Sequence, residues 1–274
     1  MMDGAGRSGV VEMRVTIAAR ASTVFRFFTE PERFAQWMGG GATGQPVPGT
    51  TIDARPGGAM VVTYPGGARA LGEVVEVDEP RRIVFTWGYE GGANGMPPGS
   101  CRVTITLEET ADGTSVTLRH EGISTEEVRK GHETGWRFYL SVLAAKGCAE
   151  QFAGGVESVC AAYFGAWNAD DARSRRGMLE EACDRGVVFR DGYGCVEGIE
   201  ALDAHIANSR KHMPGLTIRA RGGAGLSHGW VRMAWSVSMG GGPAMMTGEN
   251  FARLSMDGKL REVIGFADAP EPVA

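Results

Sequence analysis

The residue types best suited to chemistry lie in the second half of the chain. Asp191 opens the Gly-rich turn DGYG at 191–194, with Cys195 directly after it. A carboxylate on an apolar-lined cavity is what proton abstraction beside a carbonyl requires. The same carboxylate could instead cap its own loop or pair with Arg190 or Arg173. Cys195 has no evident base partner, so no activated nucleophile is indicated there. His205 and His212 stand seven residues apart on one expected helix. Two histidines without a third ligand do not make a metal site, and capping or surface roles suit them better. Met233, Met239, Met245 and Met246 fall on expected strands, where gap-filling core is the default for methionine.

In the first half the candidates are aromatic. Trp37, Tyr64, Trp87, Trp136 and Tyr139 could line a cavity, although large aromatic side chains serve as core packing more often than not. His120 ends an apolar-alternating strand, where a histidine is more often a satisfied core or rim group than an acid or base. There is no GxxxxGK[ST], no GxGxxG following a strand and no HExxH. No nucleotide, flavin, metal or other cofactor is therefore expected.

These residues must be held by folded elements, and the composition allows two sets of them. The chain has 274 residues, 43% hydrophobic and 22% charged, which suits two globular domains better than one. Its 42 glycines fall in loops and turns without a fixed period. Net charge is −5, and residues 1–153 hold 15 basic against 18 acidic side chains. Neither half has the basic excess of a nucleic-acid binder. The densest basic cluster, Arg173, Arg175 and Arg176 beside Asp170 and Asp171, reads as a solvated helix face. The start MMDGAGRSGV does not read as a signal peptide, and no apolar run approaches the roughly 20 residues of a membrane helix. Five cysteines, an odd number with no CxxC, suggest reduced and mostly buried thiols in a cytoplasmic protein.

After a disordered tail at 1–10, residues 11–153 read as one α+β domain. Residues 12–18 alternate as a half-buried strand, with Met13, Val15 and Ile17 on one side. Ser22 stands at an N-cap position before a short helix over 23–28. Pro31 opens a second short helix that ends in Trp37, and GGGATG then breaks the pattern. A strand meander follows over 50–54, 59–64, 68–77, 82–88, 102–108 and 115–120, with a hairpin signal in the Asp-Gly pair at 112–113. The loop over 91–100 reads as a surface insertion rather than a gate. The spacing of Trp136, Tyr139, Leu140 and Leu143 predicts a long covering helix over 125–146. One helix on a curved antiparallel sheet rarely fills the space beneath it, so a cavity is a natural product of this architecture.

The segments ARASTVFRFFTEPERFAQWM, GEVVEVDEPRRIVFTW, GTSVTLRHEG and GHETGWRFYLSVLAA resemble the homologues of the activator of the heat-shock-protein ATPase. That family belongs to the START-like (SRPBCC) superfamily of helix-grip folds. The resemblance runs in order over residues 11–147. It implies an antiparallel sheet gripping a long C-terminal helix, with a cavity for a small apolar or amphipathic ligand or else a co-chaperone-like contact. It brings no shared catalytic motif.

Residues 155–270 read as a second α+β domain beyond Gly154 and Gly155. Helices are expected over 156–167, 172–183 and 199–211, with Val159, Ala162, Tyr163 and Ala166 as the buried stripe of the first. Strands are expected over 187–190, 217–224, 228–238, 244–255 and 260–267. YFGAWNADD, VVFRDGYGCVEGIEALDAHI and TGENFARLSMDGKLREVIGF resemble SnoaL-like proteins of the nuclear-transport-factor-2-like fold, which includes ketosteroid isomerase and limonene epoxide hydrolase. A cone-shaped α+β barrel is implied. Carried over from the isomerase, Tyr163 takes the place of an oxyanion donor and Asp191 that of the proton-shuttling aspartate. Asn250, or Glu249 with a one-residue slip, stands where the isomerase has a protonated aspartic acid. An amide can still donate to an oxyanion, though more weakly.

Three expectations follow. The first is a binding protein for a small apolar or amphipathic molecule, with Trp37, Tyr64, Trp87, His120 and Trp136 at the first cavity and a second domain for dimerisation or a second ligand. The second is an isomerase-, cyclase- or hydrolase-type enzyme for a polyketide-, steroid- or terpenoid-like carbonyl compound, using Asp191, Tyr163 and Asn250. The third is a co-chaperone-like partner. No nucleic acid or membrane contact is expected, and a homodimer would form through the second domain.

Overall fold

The computed structural model describes residues 9–40 and 45–268. Residues 1–8 of the tail expected over 1–10, and most of the GGGATG break, lie outside the described residues; Val10, placed in that tail, already opens the first strand. The chain divides after Gln151 into two units.

The first unit opens with β1 (Val10–Ile17), α1 (Ala21–Thr29) and α2 (Pro31–Ala35). A meander follows: β2 (Thr51–Ile52), β3 (Ala59–Thr63), β4 (Arg69–Asp78), β5 (Arg82–Trp87), β6 (Cys101–Thr110) and β7 (Gly113–Glu121). Strand order is β1-β7-β6-β5-β4-β3-β2, antiparallel throughout. The chain's first strand thus closes the edge left by its last, from Val10↔Glu121 to Ile17↔Thr114. The β6–β7 hairpin turns on Ala111 and Asp112 rather than on the Asp-Gly pair, and Gly113 already belongs to β7. Only glycine fits there: its φ is 127°, and a Cβ would stand 2.1 Å from the Ile17 carbonyl oxygen.

α1 buries Val24, Phe25, Phe27 and Phe28, but Ser22 is not its cap. Ser22 lies inside the first turn, and the free amides at the helix start go elsewhere. Glu109 Oε1 accepts from Ala21 N at 3.2 Å, and Gln151 Oε1 from Arg20 N at 3.0 Å. A tertiary carboxylate has replaced the local cap, which sequence spacing cannot show. α3 (Glu126–Gln151) then covers the sheet with Trp136, Leu140, Leu143, Ala144, Gly147 and Cys148 inward. Gly147 lets the helix approach β1, since a Cβ there would meet Ile17 Cγ2 at 3.1 Å.

The second unit comprises α4 (Val156–Asn168), α5 (Ala172–Ala182), β8 (Cys183–Arg190), β9 (Cys195–Glu197), α6 (Ile199–His212), β10 (Leu216–Ala220), β11 (Gly225–Ser227), β12 (Trp230–Met239), β13 (Ala244–Leu254) and β14 (Leu260–Ala267). Its sheet runs β10-β12-β13-β14-β8-β9, with β11 on β12 and a single parallel pair, β14 with β8. The sheet is open, not a closed barrel. The buried face of α4 is Cys160, Tyr163, Phe164, Ala166 and Trp167, rotated from the expected stripe because Val159 and Ala162 are only half-buried.

Asn168 ties α4 to β10 by accepting from Ile218 N at 2.8 Å and donating to Ile218 O at 2.7 Å. Arg173 of the arginine cluster is exposed as expected, but Arg175 is not part of a solvated face. Arg175 is buried against Asp203 of α6, and Arg176 bonds Glu180 and Glu200. Such pairing lets α5 and α6 pack with charges between them.

Candidate functional site

A cavity of about 520 Å³ lies in the first unit, within the range of small-molecule sites. Its walls come from the end of α2's loop (Met38), the strand-meander rings Tyr64, Trp87 and Tyr89, Asn94, and the first half of α3. On α3 the lining residues Val128, Gly131, His132, Gly135, Trp136 and Tyr139 recur every three or four positions. That is one helical face. The rings are in mutual contact: Trp87–Trp136 centroids are 5.5 Å apart, Trp87–Tyr89 6.2 Å and Tyr64–Tyr89 6.5 Å. Among the described lining residues Glu127 is the one charged side chain, and it is exposed at the mouth.

Two histidines mark the polar part of the site. His132 Nδ1 stands 2.8 Å from the Val128 carbonyl oxygen, which can only accept, so the ring proton sits on Nδ1. Nε2 is left bare and accepts from the Tyr89 hydroxyl at 3.1 Å. Burial pulls the His132 pKa down, against the opposing pull of the Val128 carbonyl. Tyr89 and Tyr64 are pushed upward by burial first of all, so both phenols stay neutral. His120 is fully buried, and its Nδ1 accepts from Trp136 Nε1 at 3.0 Å. Its remaining proton is therefore on Nε2, which has no partner. Burial, helped by the neighbouring His132, pulls its pKa down to about 3. Trp87 Nε1 is likewise buried with no acceptor in hydrogen-bonding geometry.

Of the five residues expected at this cavity, Tyr64, Trp87 and Trp136 line it. His120 is enclosed beside it, with its ring 5.0 Å from that of His132. Trp37 is not at the cavity. Its Nε1 donates to the Phe27 carbonyl at 2.8 Å, and its ring packs edge-on against Phe28 and Phe34, so it is core; its neighbour Met38 faces the space instead. The residues that sequence reasoning missed are Tyr89, Asn94 and the α3 face at Val128, Gly131, His132 and Gly135. Two glycines inside a long helix were the available signal, because glycine is unfavourable there without a reason. In the loop after Trp87, Glu90–Gly95 forms tight turns with Gly91, Gly92 and Asn94 in left-handed conformation, and Ser124 Oγ donates to Asn94 O at 2.7 Å. It contributes Asn94 to the wall and is more than a surface insertion.

In the second unit, Asp191 Oδ1 accepts from the amides of Tyr193 at 2.8 Å and Gly194 at 2.7 Å, which is a loop cap. Asn250 is buried, and its Oδ1 accepts from Trp235 Nε1 at 2.9 Å. Asp191 and Asn250 meet over Gly265, where a Cβ would lie 3.4 Å from Asp191 Cβ and 3.0 Å from Asn250 Oδ1. The Tyr163 hydroxyl is fully buried beside the Trp167 indole, with no aligned hydrogen-bond partner; burial above all pushes its pKa up, against the opposing pull of Trp167. His205 packs on Trp167 and Phe189 beneath Gly194, whereas His212 bonds the Asn208 carbonyl, so the two do not converge. Among the described residues no cluster of three or more His, Cys, Asp or Glu side chains is placed to hold a metal ion. No helix among them is long and apolar enough to cross a membrane.

Residues 18–146 match the family described as Activator of Hsp90 ATPase homolog 1-like protein. The first unit resembles that family. Solved structures give likenesses to parts of the chain. The AHSA1-like protein RHE_CH02687 from Rhizobium etli is 31% identical, covers 54% of this chain and 86% of its own, and has a TM-score of 0.40. CalU16 from Micromonospora echinospora is 26% identical over 51% of this chain and 76% of its own, with a TM-score of 0.37. A SnoaL-like family protein from Agrobacterium tumefaciens is 24% identical over 40% of this chain and 95% of its own, with a TM-score of 0.39. No curated protein matches the chain.

Proposed function

We propose that the first unit binds a small, uncharged, amphipathic molecule in the cavity between α3 and the sheet. The observation that carries this reading is the lining itself. Five aromatic side chains and the His132 imidazole make up half of the wall, and no Lys or Arg stands among the described lining residues to neutralise an anion. The test is a fluorescence titration with N-phenyl-1-naphthylamine and with its 8-sulfonate, two dyes that share one ring skeleton and differ by a negative charge. Saturable binding of the neutral dye, at least tenfold tighter than the sulfonate, is expected. Absence of saturable binding by the neutral dye, together with no co-purifying compound in native mass spectrometry, would remove this reading.

A second reading concerns the second unit, and one observation favours it. Asp191 and Asn250 come together at Gly265, while Tyr163 holds a buried hydroxyl that has no aligned partner and stands beside the Trp167 indole. We read these as a carboxylate base with two hydrogen-bond donors, suited to proton abstraction beside a carbonyl. Hydrogen–deuterium exchange at the α-carbon of 2-tetralone, followed by NMR, tests it. Exchange above the buffer rate that falls in Asp191→Asn and Tyr163→Phe supports it; a rate equal to buffer sinks it. A chaperone contact draws no support from the first unit's surface, where Val75 is the one exposed large hydrophobic side chain among the described residues.

A further inference from the structure

Three glycines interrupt α3, and their surroundings differ. Gly147 is a packing glycine, pressed against Ile17. Gly131 and Gly135 line the cavity, one helical turn apart, and a Cβ built on either would meet nothing within 4 Å. Neither has a positive φ. No close approach and no backbone conformation demands glycine at these two places, yet a helix interior is where glycine is least favoured apart from proline. What their missing side chains provide is open space against bare helix backbone, at the mouth beside the exposed Gly131 and within the wall at the half-buried Gly135.

A second observation points to a ligand in that space. His120 Nε2–H is a buried donor without an acceptor, and Trp87 Nε1–H, beside the Tyr89 hydroxyl, has no acceptor in aligned geometry. Trp87 is itself a lining ring, and His120 stands among lining rings, 5.0 Å from His132 and 6.0 Å from both Trp87 and Trp136. Buried N–H groups with no partner are rare, and they mark a place where an acceptor is still to arrive.

We propose that Gly131 and Gly135 are the selecting wall of this cavity: an uncharged molecule rests on the bare helix there and offers a hydrogen-bond acceptor to the donors of Trp87 and His120. The proposal rests on the ligand-binding reading of the first unit and adds to it what decides which ligand fits. Side chains at 131 and 135 would occupy the ligand's volume without disturbing the protein's own packing. Size exclusion and folding are thereby separable, which is uncommon for a wall built of core residues.

The experiment uses the full chain, with Gly131→Leu, Gly135→Leu, Gly135→Ala and, as a control, Gly177→Ala on an exposed face of α5. Two neutral dyes are titrated: N-phenyl-1-naphthylamine, and Nile red, which carries a carbonyl oxygen. The leucine variants are expected to keep or raise the melting temperature while losing at least tenfold in affinity for both dyes. Gly135→Ala should fall between them and the wild type, and Gly177→Ala should bind as the wild type does. Trp87→Phe should weaken Nile red more than N-phenyl-1-naphthylamine. If the wild type binds neither dye, this proposal falls together with the binding reading. If the wild type binds and Gly135→Leu binds equally well, or if Gly135→Leu loses binding only by unfolding while Gly135→Ala binds normally, this proposal alone is overturned.

Discussion

Trp136 donates its indole N–H to Nδ1 of His120 across 3.0 Å, inside the core of the first unit. That bond joins the covering helix α3 to strand β7, next to the β1 edge of the sheet, at the margin of the cavity. Because an indole nitrogen can only donate, it also fixes the histidine as the Nε2–H tautomer. The helix is thus held by a polar contact where the cavity interrupts its apolar packing.

Acid should weaken this unit well before its carboxylates titrate. The folded His120 holds a pKa of about 3, against the 6.5 usual for an exposed imidazole. Between those values the unfolded chain binds a proton that the folded chain refuses. Stability is therefore whole above pH 6.5 and is lost as pH falls towards 3, at about 1.4 kcal/mol per unit. The lowered pKa of His132 acts in the same direction. Urea midpoints at pH 7.5 and pH 5.0, with amide protection of β7 and α3 to locate the change, are expected to differ by about 2 kcal/mol. Equal stability at the two values would contradict the burial of a neutral His120.

The Trp136–His120 bond itself can be isolated by a double-mutant cycle. Trp136→Phe leaves His120 Nδ1 buried and unpaired, which costs about 1–3 kcal/mol beyond the lost ring area. His120→Phe strands the indole N–H to a similar degree. The double variant removes both polar groups and is expected to cost less than the two single changes together. Strict additivity in chemical denaturation would mean that the bond contributes nothing.

Much of the fold was legible in the sequence because it rests on local period. The alternation Val103, Ile105, Leu107 and the stripe Trp136, Leu140, Leu143 declare their elements without tertiary help. The cavity was half legible. Trp87 and Trp136 were named because large rings attract attention, but Trp37 and Met38 are adjacent, and only the packing of Trp37 on Phe28 and Phe34 decides which one faces inward. Gly131 and Gly135 carry no signal in a side-chain pattern, because their contribution is the lack of a side chain. The Glu109 cap on α1 and the Arg175–Asp203 pair join residues distant in the chain, so no local signal could announce them.

Arg175 and Asp203 make a second kind of forecast. The arginine is only 6% exposed and its side chain ends on the Asp203 carboxylate of α6. Asp203→Ala would leave a buried guanidinium unanswered, and the second unit is expected to lose about 3–5 kcal/mol. Arg175→Met with Asp203→Leu should recover most of that loss, since well-packed apolar residues often replace a buried pair without penalty. Calorimetric traces of the single and double variants check this, and a harmless Asp203→Ala would show the pair to be solvated.

The outer face of the second sheet gives the last expectation. Trp230, Phe251 and Phe266 are exposed on β12, β13 and β14, and the Phe251 and Phe266 rings stand 6.1 Å apart. Arg232 and Glu249 pair across the same face, as do Arg190 and Glu262. A surface that carries both charge signs around exposed aromatic rings is complementary to itself, so a second copy of this chain suits it. A homodimer through the second unit is the form this would take. Phe266→Glu places a carboxylate in the middle of such a contact and should shift sedimentation towards the monomer, while the melting profile of the dilute protein changes little. A wild-type chain that sediments as a monomer at tens of micromolar would leave this face without a partner of its own kind. A Phe266→Glu variant that still sediments as a dimer would move the interface elsewhere.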